Sequence, residues 1–251
     1  MNIHHLQQNE KKDAYTFCKE VFLNTENFFS SEETIKPFLE SVEHFTSTME
    51  LIGAYEEELI GIIGYEKDTC ALLLFLLKEE NEEVKNNLFQ YYLDYAKERQ
   101  LARVGAMVSL SAKSFYEELG FEQVEPVQTK SEIEYIVMEY LLQKEYLGNE
   151  VRVIIDYPYG NLHPLINEFC TCNCGYVDDS RLMDKEFQDA YVIGIKEPLE
   201  TYTGIVVGIL YRKHEQYSKW IIYKDKNYDK EEVIQEIAFI EQHYDSRILW
   251  L

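Results

Sequence analysis

Three thiols and a run of carboxylates lie close together in the C-terminal half of the chain. FCTCNCGY (169–176) places Cys170, Cys172 and Cys174 at alternate positions, and Asp178, Asp179, Asp184, Glu186 and Asp189 follow. Thiolates hold zinc or exchange disulfides, and carboxylates hold hard divalent ions. A tetrahedral zinc site needs about four ligands converging on one point. In an extended strand, residues two apart face the same way but stand roughly 6–7 Å apart. Three successive cysteines do not easily share one ion at that spacing, and the C-x-x-C knuckle is absent. The pattern predicts small, partly buried residues on one face of a strand. The histidines add no partner. His4–His5 is terminal, no second cluster completes a site, and His163, just before Pro164, is read as structural.

Composition bounds what can be built around these residues. The 251 residues are 46% hydrophobic, enough for two domains with real cores. The formal net charge is −22. That sign argues against nucleic acid and anionic lipid as partners, because both demand patches of Lys and Arg. A small molecule or a protein is the partner class left. Five cysteines, an odd number in a long chain, argue against a secreted disulfide framework. MNIHHLQQNEKK lacks the pattern of a signal peptide, and the longest apolar run, ALLLFLL (71–77), is far too short to span a bilayer. A soluble cytoplasmic protein is expected.

The elements that must position these groups follow from periodicity. NIHHLQ (2–7) reads as a first strand, and 9–24 and 32–46 have helical spacing. MELIGAYEEELIGIIGYEKD (49–68) reads as two strands around an acidic turn at Glu56–Glu58. ALLLFLL reads as a fully buried strand. A long amphipathic helix over 80–99 turns Val84, Leu88, Tyr91, Tyr92 and Tyr95 inward. A strand at 102–110, a short helix at 111–121 closed by Gly120, and strands at FEQVEPV and 132–142 complete a mixed α/β layer fold. QKEYLGNE (143–150) reads as a linker. Beyond it, strands at 151–158, 189–195, 203–212 and 218–224 and one helix at 228–244 predict a small β-barrel-like domain.

SLSAKSFYEELGF carries Ser109, Ala112, Tyr116, Gly120 and Phe121. This segment and the element order over 1–142 resemble the GNAT acyltransferase superfamily, whose signature is N-x-x-A-x-x-x-Y-x-x-x-G-F. Ser109 stands where that family has Asn. The resemblance implies acyl transfer from acetyl-CoA to an amine. The thioester would lie in a gap between strands 71–77 and 102–108, and Tyr116 would be the catalytic acid that protonates the leaving thiolate. One motif departs. After the strand, the family has R/Q-x-x-G-x-G/A, whose amides receive the pyrophosphate of CoA at a helix N-terminus. This chain has KEENEEVKNN (78–87), with no glycine and no arginine. Glu79, Glu80, Glu82 and Glu83 stand where a dianion would dock. Like charges about 4 Å apart cost on the order of 4 kcal/mol near a protein surface. The same acids stabilise the dipole of the helix they open. Weak or lost CoA binding is predicted, so no cofactor-binding residue is assigned.

Residues 151–251 resemble Mg2+-dependent soluble inorganic pyrophosphatases, through IIDYPYGNLHP (154–164), NCGYV (173–177), DKEFQDAYVIGIKEPLETYTG (184–204) and GILYRK (208–213). The resemblance implies a metal-binding triad of Asp184, Glu186 and Asp189 that would hold Mg2+ against phosphate oxygens. Here too features are missing. Cys170 and Cys174 replace the family's tyrosines, while Asn173 and Tyr176 remain. Asp156 is followed by Tyr157 where a phosphate-binding Arg belongs. Only Glu215 and Lys219 are left of the later charged cluster. The expectation is therefore a two-domain binding or regulatory protein with both phosphate sites degenerate. The alternatives are an N-acyltransferase with atypical acyl-CoA contacts and a weak Mg2+-dependent phosphohydrolase.

Overall fold

The structure, a computed structural model, describes residues 1–24, 40, 43–44, 47–130, 133–164, 166–178, 187–213 and 215–251. It divides into two compact units, Met1–Arg99 with Val104–Tyr140, and Gln100–Arg103 with Leu141–Leu251. The helix expected at 32–46 lies largely outside the described residues.

The first unit runs β1 (Asn2–His5), α1 (Lys11–Asn24), β2 (Glu50–Tyr55), β3 (Leu59–Tyr65), β4 (Leu72–Leu77), α2 (Glu82–Glu98), β5 (Arg103–Ser109), α3 (Lys113–Glu118), β6 (Glu122–Gln123), β7 (Gln128–Lys130) and β8 (Ile133–Leu141). The strands form one sheet in the order β1-β2-β3-β4-β5-β8-β6, with β7 on β8. β1 to β4 are antiparallel neighbours, and β4 and β5 are parallel. Ala14, Phe17 and Cys18 repeat at helical spacing on α1 and pack on Leu51, Leu59 and Ile62. α2 packs on β2 and β3. Its Val84, Leu88, Tyr92 and Ala96, four residues apart in turn, are buried. With helices on both faces, β2 and β3 need apolar residues on both faces, which is why LIGA and IGIIG read as continuous runs. Each fully buried Leu or Ile stabilises the fold by about 1.5–3 kcal/mol. α3 stops where Gly120 takes φ +92, a left-handed conformation that side-chain-bearing residues resist.

The second unit contains β9 (Glu150–Tyr157), β10 (Asn173–Val177), β11 (Asp189–Val192), β12 (Thr201–Arg212), β13 (Ser218–Tyr223), α4 (Lys230–Glu241) and β14 (Ser246–Trp250). β9, β10, β11, β13 and β12 pair in a circuit that closes back on β9, a five-strand barrel. The length of β12 makes closure possible. Its first residues pair with β9, its later ones with β13, and Gly208–Arg212 also carry β14. Val153, Val192, Val206, Ile209, Trp220 and Ile222 fill one core. Gly175 sits at an irregularity between β9 and β10, where a Cβ would come within 1.9 Å of the Ile154 carbonyl oxygen. Only glycine fits there.

Polar side chains tie this unit together. Gln143 is buried and accepts from Ser218 Oγ and from Trp220 Nε1 at 3.1 Å. Residues 144–146 form a 3-10 turn. Asn173, fully buried, accepts from the N–H groups of Tyr159 (3.0 Å) and Leu199 (3.1 Å) and donates to the carbonyls of Ile195 (3.2 Å) and Glu197 (3.1 Å). Arg212 donates to both oxygens of Glu241, at 2.8 and 3.2 Å, and to Glu215 at 2.9 Å. Tyr191 donates to Glu241 at 2.6 Å, and the Arg212 guanidinium lies 3.5 Å from the centre of the Tyr244 ring.

Candidate functional site

The site of the first unit grows from one strand pair. β4 and β5 are in register at Leu72 and Ala106, and among the described residues no further pair joins them toward Leu77 and Ser109. Leu73 and Met107 are exposed, at 53% and 63%. The expectation that ALLLFLL is fully buried is therefore corrected. Of β4 only Leu72 is buried, because the strand borders a gap instead of a packed neighbour.

A cavity of about 410 Å³ lies at the end of β4. Phe75, Leu76 and Leu77 line it with Phe17 of α1 and Phe115 of α3. Five carboxylates, Glu20, Glu79, Glu80, Glu82 and Glu118, and two lysines, Lys78 and Lys85, form its polar part. Both lysines are engaged. Lys78 donates to Glu58 at 2.5 Å. Lys85, its side chain 11% exposed, lies 2.6 Å from Glu82 and 3.7 Å from Glu118, with its ammonium 5.9 Å from the centre of the Phe115 ring.

Acetyl-CoA is implied by the resemblance, and the residues at the start of α2 do not fit its pyrophosphate. A pyrophosphate there needs free amides and cations. Asn81 caps the helix instead. Its side chain accepts from the N–H groups of Glu83 (3.0 Å) and Val84 (3.2 Å), and its carbonyl takes the N–H of Lys85 (2.9 Å). Glu79, Glu80 and Glu82 line the cavity beside this helix start. Asn81 and Lys85 were not singled out from the sequence. Asn before Glu-Glu is a helix-start signal that could have found the first. Nothing local marks Lys85 as a buried cation.

Tyr116 is buried between aromatic rings, edge-to-face with Phe115 (5.5 Å) and Phe121 (5.4 Å). Burial pushes its hydroxyl up to about 12. Phe115 lines the cavity; Tyr116 is not among the described residues that do.

Of the residues predicted to bind metal, Asp184 and Glu186 lie outside the described residues. Asp189 opens β11, is exposed, and accepts from the Lys219 ammonium. Asp156 lies near enough to Asp189 that burial, and then that negative charge, raise its carboxyl pKa. Among the described residues, no group of three or more His, Cys, Asp or Glu side chains is arranged to hold a metal ion. Cys170, Cys172 and Cys174 were expected to be partly buried on one face of a strand; all three are fully buried, and only Cys174 lies in a strand, β10. They pack with Val233, Ile237 and Phe239 of α4. A hydrogen bond with Cys174, then burial, pushes the Cys170 thiol up, away from the reactive thiolate.

No helix among the described residues is long and apolar enough to cross a membrane. No curated protein matches the chain. Several solved structures are similar to it. An N-acetyltransferase of Rhodopseudomonas palustris shares 10% identity over 56% of this chain and 94% of its own, with a TM-score of 0.46. The PaiA N-acetyltransferase of Thermoplasma acidophilum, solved in complex with coenzyme A, shares 19% over 56% of this chain and 99% of its own (TM-score 0.45). The aminoglycoside 6'-N-acetyltransferase of Enterococcus faecium shares 14% over 57% and 97% (TM-score 0.41). The acetyltransferase (GNAT) domain family matches residues 15–142, just over half of the sequence, and the chain belongs to that family.

Proposed function

We propose that the first unit is a GNAT-fold binding module that does not take acetyl-CoA through its pyrophosphate, and that the protein acts by binding or regulation. The observation that carries this reading is the mouth of the cavity. The amides of Glu83 and Val84 are held by Asn81, both lysines are held by glutamates, and five carboxylates stand against two ammonium groups. Such a mouth repels a dianion and suits an uncharged or cationic ligand with an apolar body that contacts Phe17, Phe75 and Phe115. The pyrophosphatase-like resemblance of residues 151–251 enters the same proposal as a barrel without hydrolytic function. What supports this is that Lys219 is engaged by Asp189, and Arg212 by Glu241 and Glu215. Those cations are committed within the fold and do not act as a phosphate clamp. A thermal-shift series on the full chain tests both parts. No shift is expected with millimolar acetyl-CoA or Mg2+-pyrophosphate, and no phosphate release. A clear shift with acetyl-CoA, or turnover of pyrophosphate, overturns the corresponding part.

A second reading, an N-acyltransferase with atypical donor contacts, is favoured by one observation. β4 and β5 pair at Leu72 and Ala106 and, among the described residues, at no further point, which leaves the gap where the resemblance places a thioester. It predicts amine-dependent release of CoA from acetyl-CoA, lost in Tyr116→Phe.

A further inference from the structure

A second cavity, of about 560 Å³, lies along the first turns of α4 in the second unit. Glu236 lines it and is 7% exposed. One of its oxygens, Oε2, accepts from the Gly194 N–H at 2.9 Å. The other, Oε1, is buried with no hydrogen-bond partner among the described residues. The nearest cation, the Lys196 ammonium, stands 4.0 Å away, beyond hydrogen-bonding distance, on a side chain 64% exposed. A buried carboxylate oxygen without a donor is costly and is normally satisfied. Glu236 and Lys196 both line the cavity, so a donor held there reaches this oxygen only where the Lys196 ammonium moves aside.

The surroundings select the donor. Asp229, Glu231 and Glu232 line the same cavity, so four carboxylates face the single ammonium of Lys196. That excess outweighs the half-unit positive charge of the helix N-terminus. The acids do not converge on one point, and no group among the described residues is arranged for a metal ion. Asp229 is already occupied as the helix cap, accepting from the Glu231 N–H at 2.8 Å. Glu232 and Glu236 are four apart on α4, which puts them on one face with Cβ atoms about 5–6 Å apart. Separated negative charges on one face suit separated positive charges on one flexible ligand. Tyr159, also in the lining, offers apolar surface to the carbons between them. We propose that this cavity binds a linear aliphatic diammonium cation. One ammonium donates to Glu236 Oε1, the other pairs with Glu232, and Lys196 swings outward.

Calorimetry on the full chain at low salt tests this with 1,5-diaminopentane, pentylamine and MgCl2. The diamine is expected to bind about tenfold more tightly than pentylamine, the difference one charge-assisted contact makes. Glu236→Gln should weaken the diamine about tenfold, and Lys196→Ala should strengthen it. Glu232 is exposed, so its replacement is expected to leave the fold intact. Glu232→Gln should abolish the preference for diamine over monoamine even if Glu236→Gln proves unstable. Equal binding of diamine and pentylamine, an unaltered preference in Glu232→Gln, equally tight Mg2+ binding, or no heat with the diamine would each overturn the proposal.

Discussion

Lys85 and Arg212 are both nearly buried cations, 11% and 8% exposed at the side chain, and each is held by two carboxylates. Their settings are opposite. Lys85 lies on the wall of an open cavity, and Glu82 and Glu118, which hold it, are 68% and 67% exposed. Arg212 is closed in by Glu241, itself 6% exposed, and by the Tyr244 ring. Ion pairs in the first unit set the polarity of a site that a ligand can reach. The ion pair in the second unit fixes the end of β12 to the end of α4. Similar chemistry thus lines an open cavity in one unit and ties elements together in the other.

Five substitutions, one of them paired with a titration, can break that contrast, taken from the largest expected effect to the smallest. Glu241→Ala leaves a buried guanidinium with one partner and should destabilise the second unit by about 3–5 kcal/mol in chemical denaturation. Asn173→Ala strands four backbone groups of two loops, and a loss of about 2–3 kcal/mol is expected by the same measurement. Asn81→Ala removes the cap of α2 and should cost about 1 kcal/mol. The titration concerns His163, whose buried ring lies 4.8 Å from Tyr157. Burial first, then the positive charges of Lys219 and Arg212, hold its pKa below 6.5. The folded state thus binds this proton more weakly than the unfolded state. The contribution of His163 is fully present above about pH 6.5 and is lost as pH falls through the lowered pKa. Melting curves between pH 7 and 5 should show this loss, reduced in His163→Gln. Glu82→Gln, at the exposed site, should leave the melting temperature nearly unchanged. A large loss there would remove the distinction between the two units.

Much of the first unit was legible because its signals are local. The helical spacing over 9–24 marks α1, the acidic turn marks the β2–β3 hairpin, and Gly120 marks the end of α3. The glycine-free run after β4 marks the acidic start of α2. The exposure of β4 was not legible, because a run of leucines looks the same beside a packed strand and beside a gap. β14 was missed as well. Ser-Arg-Ile-Leu-Trp becomes a strand only because the far half of β12 offers it an edge. Arg212, Glu241, Asn173 and Glu236 gained their meaning from partners distant in sequence, and no periodicity carries that information. The cysteines were legible as small residues withdrawn from solvent, but not in their setting: only Cys174 lies in a strand, and the covering helix α4 lies some sixty residues downstream.

The central claim is that the mouth of the first cavity excludes the pyrophosphate of CoA. Isothermal titration of acetyl-CoA into the full chain tests it most directly. No saturable heat is expected in the micromolar range. A micromolar dissociation constant, weakened by added pyrophosphate, would contradict it.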